Sequence, residues 1–202
     1  MPRSVKSDPI RNFKFKVDII PPSGQRLSNY VGGTINTGFS VVSGLTVQNE
    51  MIAYREGGMN THPHKMIGQS DFGPVTFTKG VFSDDDALYR WQTFMHSWAQ
   101  GGNTYGSTST TNNNDYRCDI LIKIYDHPVA YTKYEIPGSP GTNMVNPKLI
   151  YKLHNCWPAS YSLGDLNAGD SSILIQQLVI NHEGFQVAWS STDGSANLTD
   201  FG

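Results

Sequence analysis

A mainly β domain, a sandwich or partly closed barrel with one packed α-helix, is the fold that this sequence predicts. Three observations lead there. Several short segments alternate apolar and polar residues with the period of two that marks half-buried strands. Only one segment switches to the helical period. Charged residues make up 16% of the chain, below the usual quarter, while Gly, Ser, Thr and Asn are plentiful, which suits a surface that is loop-rich or covered by partners.

The first strand is read from Phe13, Phe15, Val17 and Ile19 alternating with Lys14, Lys16 and Asp18, and Pro21, Pro22 and Gly24 end it. Val41 to Tyr54 supplies one or two more strands, with a bend or bulge at Gly44. Val75 to Val81 alternates again and sets Val75, Phe77 and Lys79 opposite Thr76 and Thr78. Ser83 then stands before Asp84, Asp85 and Asp86, a capping hydroxyl ahead of three carboxylates where a helix dipole favours negative charge. Ala87, Leu88, Trp91, Phe94, Met95 and Trp98 follow at helical spacing until Gly101 and Gly102, which predicts an amphipathic helix of about four turns against a sheet.

Residues 103–115 form a low-complexity polar tract and are expected to be an exposed insertion. Strands follow at Cys118 to Tyr125, Leu149 to Leu153 and Ile173 to Ile180, with a second insertion at 137–147 and a turn at Asn181 to Gly184. The polar tail 190–202 is expected to be flexible. With no repeat and no second apolar core, residues 1–202 read as a single domain, long enough to bury a core unaided. Cys118 and Cys156 are too few for a disulfide framework and lack CxxC spacing, so they read as buried thiols.

Several function classes are disfavoured. Fifteen basic against seventeen acidic residues, a formal charge of -2, offer no net attraction to nucleic-acid phosphates. The polar start lacks the apolar stretch of a secretory signal, which points to synthesis in the cytosol, and no run approaches the roughly 20 apolar residues of a membrane span. His62 and His64 have no third ligand beside them in sequence, and His182 with Glu183 would point to opposite faces of a strand. Asp165 to Asp170 reads as a turn rather than a calcium loop. Gly57 and Gly58 lack a phosphate-binding pattern, and Ser43 with Gly44 lacks the first glycine of a nucleophile elbow. No catalytic constellation, metal site or cofactor motif remains. Trp91, Trp98, Trp157 and Trp189 with the tyrosines leave a glycan-binding β-sandwich as an alternative from another class.

The order of motifs along most of the chain resembles the tube proteins of contractile phage tails and of related injection particles. The resemblance is carried by DPIRNFKFKV at 8–17, GFSVVSGL at 38–45, YREGG at 54–58 with KMIG at 65–68, and TKGV at 78–81 leading into SDDDALYRW at 83–91. Trp157 and Pro158, DLN at 165–167 and HEGF at 182–185 complete it. It implies a structural subunit without catalytic activity whose copies form six-membered rings, joined through strands into one β-barrel and stacked into a hollow tube. It further implies a contractile sheath, baseplate and tail terminator as partners, passage of DNA or protein cargo, no membrane insertion, and a place in a virion tail or an extracellular particle. A type VI secretion-like ring protein is the alternative within the same architecture. By the same resemblance Arg55, Glu56, Gly57, Gly58 and Lys65 belong to a long loop reaching the adjacent ring, and Thr46, Gln48, Glu50, Thr76 and Thr78 are candidate lumen residues. The tracts at 103–115 and 137–147 depart from the compact family pattern.

Overall fold

A computed structural model describes residues 9–24, 26–58, 61–83, 85–99, 115–125, 147–169 and 171–189. The expected insertions at 103–115 and 137–147, apart from Asp115 and Pro147, and the tail at 190–202 lie outside the described residues, as does Asp84.

Ten strands and two helices occur among them in the order β1 (Phe15–Ile20), α1 (Arg26–Val31), β2 (Ile35–Thr37), β3 (Val41–Ser43), β4 (Val47–Tyr54), β5 (His64–Phe72), β6 (Val75–Gly80), α2 (Ala87–Ala99), β7 (Cys118–Ile124), β8 (Leu149–Leu163), β9 (Ile175–Asn181) and β10 (Gly184–Trp189). Eight of the strands make one sheet in the order β2-β1-β7-β8-β9-β6-β3, with β10 also on β8. Among the described strands β4 and β5 pair only with each other.

β8 joins two halves of the sheet. Its first part, Leu149 to Cys156, pairs with β7, and Leu149 to His154 also takes β10; its second part, Trp157 to Leu163, pairs with β9. At the change-over the backbone turns sharply. Asn155 has φ of 52°, in the left-handed region that Asn tolerates better than most residues, and the register shifts again between Pro158 and Ser160. Proline inside a strand is tolerated at such a bulge, because no ladder hydrogen bond is demanded of it.

The core fills the space between the halves and under α2. Val17, Ile19, Val75, Phe77, Leu88, Trp91, Ile120, Leu153, Leu178 and Ile180 belong to one buried cluster. The helical stripe predicted from Leu88 and Trp91 faces it, and the Trp91 indole Nε1–H donates to the Tyr116 carbonyl at 3.0 Å, so this large ring is buried without an orphaned donor. Cys118 and Cys156 are buried free thiols paired across β7 and β8, and burial pushes both upward in pKa, which keeps them protonated and unreactive.

Several local expectations change. Phe13 lies in a turn before β1 and is exposed, because pairing with β7 starts at Phe15. Asp18, expected on the solvent face, is buried and accepts from the Lys123 ammonium at 2.7 Å, since β1 lies between β2 and β7 and the neighbouring strand supplies its counter-charge. β5 at His64–Phe72 takes in residues 64–68, where the end of a long loop was expected. α1, β2 and β10 are too short or too irregular to show a period.

α2 starts at Ala87, and the Arg90 N–H donates to the Asp86 carbonyl at 2.9 Å, which makes Asp86 the capping residue. Ser83 therefore stands ahead of the cap it was expected to supply. Asp86 also pairs with Arg90 one turn on at 2.7 Å. Asp85 serves two partners at once, since its carboxylate takes the Ala87 N–H at the start of α2 and also accepts from the ammonium of Lys79.

Candidate assembly interface

The β4–β5 ribbon projects from the body as an arm. Gly44 and Gly73 build its root. Gly44 has φ of 95° and a side chain there would meet the Pro74 carbonyl oxygen, while the Gly73 N–H donates to the Thr46 carbonyl at 3.1 Å. His182 fixes the root from the body side: its Nε2 lies 3.1 Å from the Gly73 carbonyl, and its ring packs between Phe72, at the end of β5, and Phe185 of β10. A histidine that sequence spacing removed from acid–base work is therefore a clamp on the arm.

Beyond the root, cross-strand pairs decide which side chains share a face. Gln48 faces Asp71, and Asn49 faces Ser70, whose hydroxyl donates to the Asn49 side chain at 2.7 Å. Glu50 then faces both Gly68 and Gln69 in a bulge, and a side chain at 68 would crowd Glu50. Outward of the bulge the chemistry changes. Met51 faces Ile67 on one side of the ribbon, and Ile52 faces Met66 on the other, with Tyr54 opposite His64. All five apolar residues are about half exposed or more, and Ile67 reaches 84%. Among the described residues neither apolar face of the ribbon is covered.

Arg55, Glu56, Gly57 and Gly58 lie at the outer turn of this arm and are exposed. Lys65, expected in the same loop, is instead a strand residue opposite Ala53, one step inside the turn. His62 and His64 stack edge to face at 6.1 Å near the tip, and among the described residues no group of three His, Cys, Asp or Glu is placed to hold a metal.

The candidate lumen residues separate into two places. Thr46, Gln48 and Glu50 are on the arm. Thr76 and Thr78 are on β6, on the face turned away from Val75, Phe77 and the buried Lys79. The register carries that face across four strands: Ser43, Thr76, Val179 and Ser160 form one row, and Val41, Thr78, Gln177 and Ser162 the next. The eight positions carry hydroxyl, amide or aliphatic groups and no charge. Ser160, Ser162 and Gln177 were missed from the sequence, although serines flanking Tyr161 and the alternation of residues 176–180 are the signal that could have found them.

Behind this face sits the Lys79 ammonium, 1% exposed, donating to the Thr37 hydroxyl at 2.5 Å and to the Asp85 carboxylate, which the Thr37 hydroxyl also contacts at 2.6 Å. Burial alone would raise the Asp85 carboxyl. The hydrogen bonds from Lys79 and Thr37, with the Lys79 charge, outweigh it and hold the group below its usual pKa. This triangle ties β6, β2 and the lead into α2 together beneath the uncharged face.

Residues 11–186 match the profile of the T4-like virus tail tube protein gp19 family. Solved structures with the same fold include a chain of the anti-feeding prophage (AFP) baseplate, 18% identical with a TM-score of 0.61 over 90% of this chain and 96% of that one. A chain of the sheath-tube complex of the PVC extracellular contractile injection system, in its extended state, is 20% identical with a TM-score of 0.61 over 92% and 95%. One from the AFP tube-terminating cap is 20% identical with a TM-score of 0.58 over 91% and 93%. No curated protein matches the sequence.

Proposed function

The chain belongs to the T4-like virus tail tube protein gp19 family and is a structural tail tube subunit, and we propose that its copies close into six-subunit rings stacked around a lumen that conducts DNA or protein cargo inside a contractile sheath. The observation that carries the assembly is the arm with two apolar faces: a lone protomer leaves Met51, Ile52, Tyr54, Met66 and Ile67 in water, and further copies would cover them. Open sheet edges add to this. β3 and β2 end the long sheet and β10 lies against β8 alone among the described strands, so pairing between copies would satisfy their free backbone groups and continue the sheet around a ring.

The role is mechanical rather than catalytic. A conduit works by binding its cargo weakly, and the uncharged rows of Ser43, Thr76, Thr78, Ser160, Ser162 and Gln177 suit the wall of such a lumen. Sheath, baseplate and terminator are the partners that accompany tube proteins of this fold in the sheath-tube, baseplate and cap complexes. The tube would be built in the host cytoplasm and function in a virion tail or an extracellular particle.

Electron microscopy of concentrated purified protein tests the reading: rings or filaments are expected, and a solitary protomer at every concentration and salt would end it. The tip charges make a finer test. Arg55→Ala with Glu56→Ala is expected to weaken stacking severalfold, the scale of about 0.5–1 kcal/mol for exposed charge pairs, without changing the melting temperature. Unaltered stacking would remove the tip from the contact between rings.

A further inference from the structure

Among the described strands the arm shares no ladder with the long sheet, so the angle at which it leaves the body is set by contacts at its root. His182 supplies a polar one. The residue is 9% exposed, and its Nε2 lies 3.1 Å from the Gly73 carbonyl. A carbonyl oxygen only accepts, so this contact assigns the proton of a neutral ring to Nε2 and leaves Nδ1 as a bare acceptor. Nδ1 is buried and has no hydrogen-bond partner among the described residues. Phe72 and Phe185 flank the ring, with centroids 5.7 Å and 6.0 Å away.

That surrounding suits a neutral imidazole and resists a charged one. A second proton would have to enter at Nδ1, and it would create a buried N–H without an acceptor and a charge between two phenyl rings. The elements packed around the ring offer no compensation. β9 and β10 carry no charged residue. Glu183, in the turn between them, is held by the Asn155 side-chain amide at 2.6 Å and lies 3.7 Å from Arg117. The Asp71 carboxylate, on β5, accepts from the Phe72 N–H at 2.8 Å. Neither carboxylate pairs with His182 among the described residues. His154 stands opposite Gly184, so strand alternation sends its side chain to the face away from Leu153 and from Leu153's partner Phe185.

We propose that His182 is an acid-released latch on the arm. Neutral, it holds the Gly73 carbonyl and fixes the arm's angle; on taking a proton from solvent at Nδ1 it leaves its place between Phe72 and Phe185 and frees the arm to swing at Gly44 and Gly73. Proton and clamp compete, so the latch is complete where the ring is neutral and is lost as the pH falls. The device lies within one protomer and stands whether or not copies assemble. Its consequence is directional: Met51, Ile52, Tyr54, Met66 and Ile67 are exposed on the arm, and the arm's angle decides where they are presented.

Hydrogen–deuterium exchange on the full chain, at a dilution where it sediments as a protomer, tests this. After correction for the intrinsic pH dependence of exchange, amides at the arm root, Gly73 among them, are expected to exchange about tenfold faster at pH 5 than at pH 7, within the limit of tenfold per pH unit that one proton allows. Amides around Ile120 and Leu178 in the body should not change. In His182→Gln a side-chain amide keeps a donor but cannot take the proton, and the rise should vanish. An equal rise in His182→Gln, or none in the parent, would overturn the latch. Should His182→Gln leave the root open at both pH values, the nitrogen NMR shifts of His182 decide: a proton gained at Nδ1 together with faster exchange upholds the proposal, whereas a proton gained without it, or none gained by pH 5, overturns it.

Discussion

Asp85→Ala is expected to destabilise the protomer by about 3–5 kcal/mol, the range for stripping one partner from a buried ion pair. Lys79 cannot reach water: the residue is 1% exposed, and without Asp85 its ammonium keeps the Thr37 hydroxyl and the faces of Phe39 and Phe82, none of which carries a charge. At about 2–4 °C per kcal/mol for a domain of this size, the melting temperature should fall by about 10 °C. Because assembly stabilises the folded chain by mass action, the melt is best recorded on a variant that remains a monomer. Lys79→Met together with Asp85→Ala should recover much of the loss, since a buried pair replaced by apolar groups often costs little. A single Asp85→Ala variant within about 0.5 kcal/mol of the parent would show that the triangle does not hold β6 to the start of α2.

The same pair predicts an acid limit. Asp85 has a folded pKa below its ordinary value of 3.8, so its stabilisation is complete above that value and is lost as the pH falls through the lower, folded one. The parent should therefore lose stability more steeply below about pH 4 than Asp85→Asn does. Parallel acid profiles for the two proteins would refute the assignment.

Ile52→Asp and Ile67→Asp, one on each face of the arm, are expected to abolish assembly singly and together. Burying an aliphatic side chain of this size is worth about 1.5–3 kcal/mol, and a carboxylate put in its place adds a desolvation cost. Each contact should weaken by at least about a hundredfold at about 1.4 kcal/mol per tenfold, and a tube made of many such contacts would not form at working concentrations. The protomer itself should be spared, because Ile67 is 84% exposed and pairs only within the ribbon. Sedimentation with circular dichroism reads both properties at once. Normal tubes from either variant would show that the corresponding face of the arm stays in solvent.

Much of the body was legible. Val17, Ile19, Val75 and Phe77 face the core as their alternation required, and Leu88 and Trp91 form the buried stripe of α2, because these patterns are local and burial in a core takes such side chains out of water. Asp18 and Lys79 broke the pattern. Each is a charge at a position that strand pairing buries, and its counter-ion comes from another element: Lys123, 105 residues on, for the first, and Asp85, six residues on beyond the end of β6, for the second. No period can announce such a partner. Asp85 shows the same limit from the other side, since three acids before a helix look alike until one of them finds an ammonium.

The chain's own order of residues determined that strands dominate, where the long helix lies, and which family's motifs recur along it. Only the tertiary structure decided that residues 64–72 are a strand, that the ribbon is apolar on both faces outward of Gly68, that His182 clamps its root, and that the uncharged face runs from Ser43 across to Ser160. The reason is physical: periodicity reports which residues prefer to leave water, whereas register, bulges and strand order decide which side chains meet on a face, and those depend on pairings that close loops of tens of residues.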